Sequence, residues 1–248
     1  MIPLGMFILF AAILTTVLSV RIKRDAQRTR EVESLSKTLN LPFMENDSIG
    51  LGQQLQHFSL FRKGRRTMFR RSKVSNIIRG NVGETDVYLF DYTYVVSTGK
   101  SSRRITQSVF FANDKKWYLP NFTLRPERWW HKILSGLGIQ KDINFEENPR
   151  FSDNFWLKSE FEGIVREKFT PNLQQFLLEK PPVHLEGENY YLLAYKPGKK
   201  LKPSEAKQYF ETCCELTRLM QTEGKLELLQ LADIEPLNED EIKLKMER

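Results

Sequence analysis

An α+β domain behind a single N-terminal transmembrane helix is expected from three features of this 248-residue chain. Ile2 to Val20 carries no charged residue, and residues 87–112 are rich in β-branched and aromatic side chains around a polar turn. The rest holds short runs with apolar residues at helical spacing. Together these specify a membrane anchor followed by one mixed, mainly antiparallel sheet with covering helices.

The anchor comes first. Nineteen uncharged positions at about 1.5 Å per residue reach roughly the 30 Å hydrocarbon thickness. Thr15, Thr16 and Ser19 interrupt the apolar run, but hydroxyls inside a helix can bond to the preceding turn. A cleaved signal peptide would require a basic leader and a small-residue cleavage site, where this chain has Leu18-Ser19-Val20-Arg21. Arg21, Lys23, Arg24, Arg28 and Arg30 follow, opposed by Asp25. The positive-inside rule then places the body of the protein in the cytoplasm, as a single-pass protein of the inner membrane.

Four segments are expected: a transmembrane anchor over 1–20, a basic juxtamembrane amphipathic helix over 21–40, an α+β domain over 41–224 and a charged tail over 225–248. Val32, Leu35 and Leu39 recur at helical spacing and stop before Pro42. Val87–Val96 and Ile105–Ala112 read as a hairpin closed by Ser97-Thr98-Gly99-Lys100-Ser101-Ser102. Tyr88, Phe90, Tyr92 and Tyr94 share one face of its first strand; Val87, Leu89, Asp91, Thr93 and Val95 share the other. Neither face is polar, which predicts a central strand covered on both sides. Beyond it a short helix is expected after Pro126, strands at 142–145 and 155–158, and a helix from Glu162. A break falls at Thr170-Pro171, a cap and first-turn pair. A second hairpin over 183–195 should turn at Glu186-Gly187-Glu188-Asn189. A last helix should run from Pro203 to Gly224 on Ala206, Tyr209, Phe210, Cys213, Leu216 and Met220.

Composition narrows the chemistry. With 40% hydrophobic residues the chain can bury a core without staples, and its two cysteines, Cys213 and Cys214, are adjacent and close no loop. That usage fits a reducing compartment. Residues 21–104 hold 17 Lys/Arg against 8 Asp/Glu, whereas residues 105–248 hold 21 against 23. Positive charge therefore concentrates next to the anchor, where an anionic membrane surface would draw it.

No catalytic motif survives inspection. Gly99-Lys100-Ser101 lacks the earlier glycine of a phosphate-binding loop, since position 94 is Tyr94, and a strand rather than a helix follows. Gly50-Leu51-Gly52 and Gly136-Leu137-Gly138 are incomplete dinucleotide fingerprints. His57, His131 and His184 have no ligand partners at metal spacing, so neither a metal nor a cofactor is implied. Asp91, on an apolar strand face, must be paired, hydrogen-bonded or protonated; the structural reading is that it caps backbone donors or meets an arginine. Cys213 reads as core, and Cys214 lies at the edge of the same face, reactive only if exposed.

The strongest functional signal is a basic run comprising Arg62, Lys63, Arg65, Arg66, Arg70, Arg71 and Lys73, seven cations in twelve residues. Beside an anionic leaflet each cation contributes about 1 kcal/mol. Nucleic acid is disfavoured, because one interleaved aromatic and no recognition helix give no means of reading bases.

Several motifs carry a family resemblance: Leu119-Pro120-Asn121-Phe122-Thr123-Leu124-Arg125-Pro126-Glu127, Asp142-Ile143-Asn144-Phe145, Pro149-Arg150-Phe151-Ser152 and the strand Phe90-Asp91-Tyr92-x-Tyr94. With the N-terminal anchor, these resemble a family of bacterial single-span membrane proteins to which no activity is assigned. The resemblance spans most of residues 1–222 and implies the domain limits; it transfers no catalytic residue. The functional expectation is a non-enzymatic, membrane-anchored interaction module whose basic flank contacts anionic lipid, with its protein partner open. The alternatives are an enzyme with a pocket near Asp91 or Cys214, or an envelope scaffold.

Overall fold

A computed structural model of the chain describes residues 4–62, 72–97, 101–127, 142–180 and 183–232, with side chains described outside 4–8, 10 and 221–232. The first element is one helix, α1 (Leu4–Leu39), 36 residues long. It extends for about 54 Å. Segments 1–20 and 21–40 thus meet within a continuous helix rather than at a joint, and Asn40 ends it in the left-handed region at φ 55°. The two halves of α1 differ in surroundings. Leu9, Ile13, Leu14, Val17, Leu18 and Val20 are 43–62% exposed, whereas Val32 and Leu35 are buried in the core and Leu39 packs against it. Thr15 and Thr16 both donate their hydroxyls to the Ala12 carbonyl, so the polar groups of the apolar half are satisfied inside the helix. Among the described residues no helix is long and apolar enough to cross a membrane.

The sheet has eight strands: β1 (Phe43–Asn46), β2 (Lys73–Val82), β3 (Thr85–Ser97), β4 (Ser102–Asn113), β5 (Leu119–Pro126), β6 (Phe155–Ser159), β7 (His184–Asn189) and β8 (Tyr191–Tyr195). Their order is β1-β2-β3-β4-β8-β7-β5-β6. Every pairing is antiparallel, which replaces the expected mixed sheet by a purely antiparallel one. The fold is α+β, as expected. The long hairpin is present, with Ser97 opposite Ser102, and β3 is central and covered on both faces.

Alternation along the strands builds two cores. On one face Val87, Leu89, Phe110, Ala112, Leu185, Leu192 and Leu124 meet the C-terminal half of α1 and the later helices. These are α4 (Pro149–Asn154), α5 (Glu162–Lys168), α6 (Pro171–Glu179) and α7 (Pro203–Ala232). On the other face Tyr88, Phe90, Tyr92, Phe111, Leu193 and Tyr195 are covered by the short helices α2 (Leu51–Gln54) and α3 (Ser59–Arg62), joined by a 3-10 turn. Glu186 pins that cover: its carboxylate accepts from Ser59 N, Ser59 Oγ and Tyr195 Oη at 2.8, 2.8 and 2.6 Å.

Several local expectations are met. Thr170 caps α6 by accepting from Leu173 N, and Pro171 opens that helix. All six predicted apolar positions of α7 are buried. Others are corrected. Residues 142–145 form no strand, because Ile143 makes one sheet-like bond, N–H to Leu157 carbonyl, before the chain turns into α4. The second hairpin turns at Asn189-Tyr190 rather than at 186–189. Gly187 must stay within β7, since a β-carbon there would overlap the Phe122 ring, whereas Asn189 accepts a positive φ of 53°. α7 runs past Gly224, a residue a helix interior tolerates at modest cost. The helix expected after Pro126 lies outside the described residues, as does the tail from 233.

Among the motif residues, Phe122, Phe145 and Phe151 lie in the first core, whereas Phe90, Tyr92 and Tyr94 lie in the second. Phe145 and Phe151 meet edge to face at 5.6 Å, Phe122 meets Phe169 at 5.2 Å, and Ser152 Oγ accepts from Phe145 N. They are packing residues.

Candidate functional site

Three places could carry function: the junction of α1 with the sheet, the basic end of the sheet, and a cavity between α6 and α7.

At the junction, Arg28 is buried, which removes it from the cations expected to border a membrane. It grips Asp91 in a two-pronged pair, Nε to Oδ2 at 2.7 Å and Nη2 to Oδ1 at 2.9 Å, and its Nη1 donates to the Leu201 carbonyl at 2.8 Å. Ser108 Oγ donates to Oδ1 and Asn76 Nδ2 to Oδ2, so each carboxylate oxygen accepts two hydrogen bonds. Asn76 reaches inward because it sits at a bulge of β2 with φ 55°, and its amide oxygen accepts from Thr29. Asp91 therefore meets an arginine. With both oxygens engaged it has no lone pair free for proton transfer, and the site joins α1, β2, β3, β4 and the chain leading into α7.

The basic end is defined by register. From Arg28, opposite Asp91, α1 climbs to Asp25, which lies 3.6 Å from Arg104; Arg104 pairs with Val95 near the hairpin's end. The helix thus leaves the domain at the end of the sheet that holds Ser97 and Ser102. Lys73 lies opposite Thr93 at this same end. Phe61, next to Arg62, packs against Tyr92 with ring centres 4.2 Å apart. Both attachments of the basic run are therefore at the end from which α1 departs. Arg62 and Lys73 are exposed, as are Arg21, Lys23, Arg24, Arg103 and Arg104. Lys63, Arg65, Arg66, Arg70 and Arg71 lie outside the described residues.

The third place is a cavity of about 380 Å³, within the size range of small-molecule sites. Phe176, Leu177 and Leu216 supply apolar wall, and Glu179, Lys196, Lys199, Glu205, Gln208 and Thr212 supply polar side chains. Lys196 starts a tight turn, Lys196-Pro197-Gly198-Lys199, closed by a hydrogen bond from Lys199 N to the Lys196 carbonyl at 3.0 Å. Proline then glycine at positive φ (67°) is what such a turn requires, and Gln107 Oε1 fixes it by accepting from Gly198 N. Burial, and then the neighbouring Lys199, lower the Lys196 ammonium from the usual lysine range. Burial raises the Tyr209 phenol well above its ordinary range, so it remains a donor. The Cys213 thiol beside Tyr209 is a weak partner, and no hydrogen bond of ordinary geometry satisfies the Tyr209 hydroxyl among the described residues.

Cys214 is buried as well, and burial pushes its thiol up to about 11, so the exposure that would have made it reactive is missing. His57 and His184 pack against Tyr191 and Tyr195 respectively, and His131 lies outside the described residues. No metal-binding group of His, Cys, Asp and Glu occurs among the described residues. Gly50 opens α2 at positive φ, a turn role as expected. Sequence reasoning missed Lys196, whereas Tyr209 lies in the core as expected. The Pro-Gly turn flanked by lysines, ahead of a helix with an inward tyrosine, was the available signal.

The molecule is thus defined as an antiparallel α+β domain, covered on both faces and continuous with one long N-terminal helix. No family model, curated protein or solved structure matches the chain.

Proposed function

We propose that this chain is a membrane-anchored, non-enzymatic interaction module of the bacterial single-span kind its central motifs resemble. Ile2–Val20 is its anchor, and its basic flank lies on the anionic cytoplasmic face of the inner membrane. The observation that carries this reading is the shared end of the sheet. The apolar half of α1 departs there, and both attachments of the seven-cation run lie there, beside the exposed Arg103 and Arg104. A domain hung from α1 would hold that end nearest the lipid, so headgroup contact by the run costs little additional ordering. The exposed apolar side chains of α1 find their partner in the hydrocarbon, and Thr15 and Thr16 are already bonded within the helix.

The lipid contact is tested on the fragment 22–248, which keeps the Asp25 and Arg28 contacts, by co-sedimentation with vesicles containing phosphatidylglycerol. Binding should weaken with salt. Converting Arg65, Arg66, Arg70 and Arg71 together to Gln should lower affinity on the order of several hundredfold at about 1 kcal/mol per charge. Binding unchanged by the four substitutions, or absent in the parent fragment, rejects the lipid role.

A further inference from the structure

We propose that the Ser97–Ser102 end of the β3–β4 hairpin is a membrane contact in its own right, with Arg103 and Arg104 on the phosphates of anionic phospholipid. This rests on the anchored reading and extends it to residues outside the 62–73 run. α1 and the hairpin run side by side in one direction. Arg28 bonds Asp91, and one turn nearer the N-terminus Asp25 lies 3.6 Å from Arg104, the cross-strand partner of Val95. From Asp25, five helical residues, about 7.5 Å, lead to Val20 at the end of the uncharged segment. From Arg104 and Val95, two residues along each strand, about 7 Å, lead to Ser102 and Ser97. The hairpin thus extends as far past the shared contact as the charged part of α1 does. It stands at headgroup level when Ile2–Val20 spans the hydrocarbon.

The charge at this end is not neutralised. Arg103 is exposed, and among the described residues no carboxylate lies within ion-pair distance of it. Arg104 has the 3.6 Å contact with Asp25, an acid that is itself 63% exposed. At the opposite end of the same sheet, by contrast, Arg79 donates to Asp86 at 3.0 Å and Lys116 pairs with Glu84. Consecutive strand residues point to opposite faces, so Arg104 lies on the α1 face and Arg103 on the face covered by α2 and α3. Cations on both faces of one end suit a flat polyanion met end-on, whereas a groove ligand would be met from one face. Each guanidinium can take a phosphate through two parallel N–H donors. Val96, the cross-strand partner of Arg103, is 38% exposed, and an apolar side chain beside a cation suits the boundary between headgroups and acyl chains.

The test is hydrogen–deuterium exchange of the full chain in nanodiscs, one set holding phosphatidylglycerol with phosphatidylcholine and the other phosphatidylcholine alone. Peptides covering 95–104 should exchange more slowly in the anionic discs. Those covering 113–119 and 189–191, at the far end of the sheet, should not change. Arg103→Gln with Arg104→Gln should abolish the difference, and Arg103→Gln alone, which leaves the Asp25 contact in place, should reduce it. Unchanged exchange over 105–112 in neutral discs shows that these variants keep the fold. Converting Arg65, Arg66, Arg70 and Arg71 to Gln should leave most of the protection over 95–104. Equal exchange over 95–104 in the two kinds of disc overturns the proposal without touching the anchor; a chain that does not enter the discs rejects both. Protection that survives loss of both arginines, or that disappears only with the four substitutions in the run, also overturns it. So does stronger protection of the same peptides by single-stranded polyuridylate added to neutral discs, which would give the surface to nucleic acid.

Discussion

Arg28 and Asp91 form a buried pair in which each group is the other's main compensation, so removing one leaves an unpartnered charge. Arg28→Ala or Asp91→Ala should each destabilise the fold by about 3–5 kcal/mol, read as a shift in the urea midpoint. Arg28→Met with Asp91→Leu should cost distinctly less than the two single losses together, because an apolar pair of similar volume removes both charges at once. A double variant as unstable as the sum of the singles would contradict this. The cysteines give a second test. With Cys214 pushed up to about 11 by burial, and Cys213 higher still, native alkylation at pH 8 should run on the order of a hundredfold slower than for a free thiol. A thiol raised in the folded state stabilises it below the ordinary thiol range, and that contribution is lost as pH rises toward 11. Fast labelling of the folded protein would show that the helix face opens. At this scale the sequence was half legible. Asp91 stood out because apolar neighbours leave a carboxylate no water. Arg28 did not, since nothing distinguishes it in the chain from Arg24 or Arg30; only its three-dimensional position opposite β3 separates a buried lock from an exposed cation.

Among elements, α1 has the most consequences, because its C-terminal half belongs to the core while the described apolar side chains of its N-terminal half are exposed. A chain beginning at residue 22 should therefore fold with a single cooperative melt. One beginning at residue 41, which loses Arg28, Val32 and Leu35, should show molten or unfolded near-ultraviolet circular dichroism. Equal native spectra from both would mean that the helix is an appendage. The elements that could be read from the chain were those with a strong period or a defined cap: the β3–β4 hairpin, α6 behind Thr170-Pro171, and the apolar face of α7. β2 escaped notice because the bulge at Asn76 breaks its alternation and Gly80 interrupts it. The second hairpin was displaced because Gly187, which looks like a turn glycine, is there to make room for Phe122.

For the whole molecule, the described cations Arg62, Lys73, Arg103 and Arg104 lie toward the end of the sheet from which α1 departs. Arg62 and Lys73, the described residues at either side of the cationic run, the departure of α1 and the Ser97–Ser102 end of the long hairpin lie toward one end, and the cavity between α6 and α7 shares Leu201 with the α1 junction. That arrangement was partly visible in the charge counts, with an excess of Lys/Arg before residue 105, but the common end depends on strand register and could not be read from the sequence. The most direct measurement is alkaline carbonate extraction of membranes from cells expressing the full chain beside a deletion of residues 2–20. The full chain should stay in the membrane pellet and the deletion should pass to the supernatant; a full chain released by carbonate would contradict the anchor.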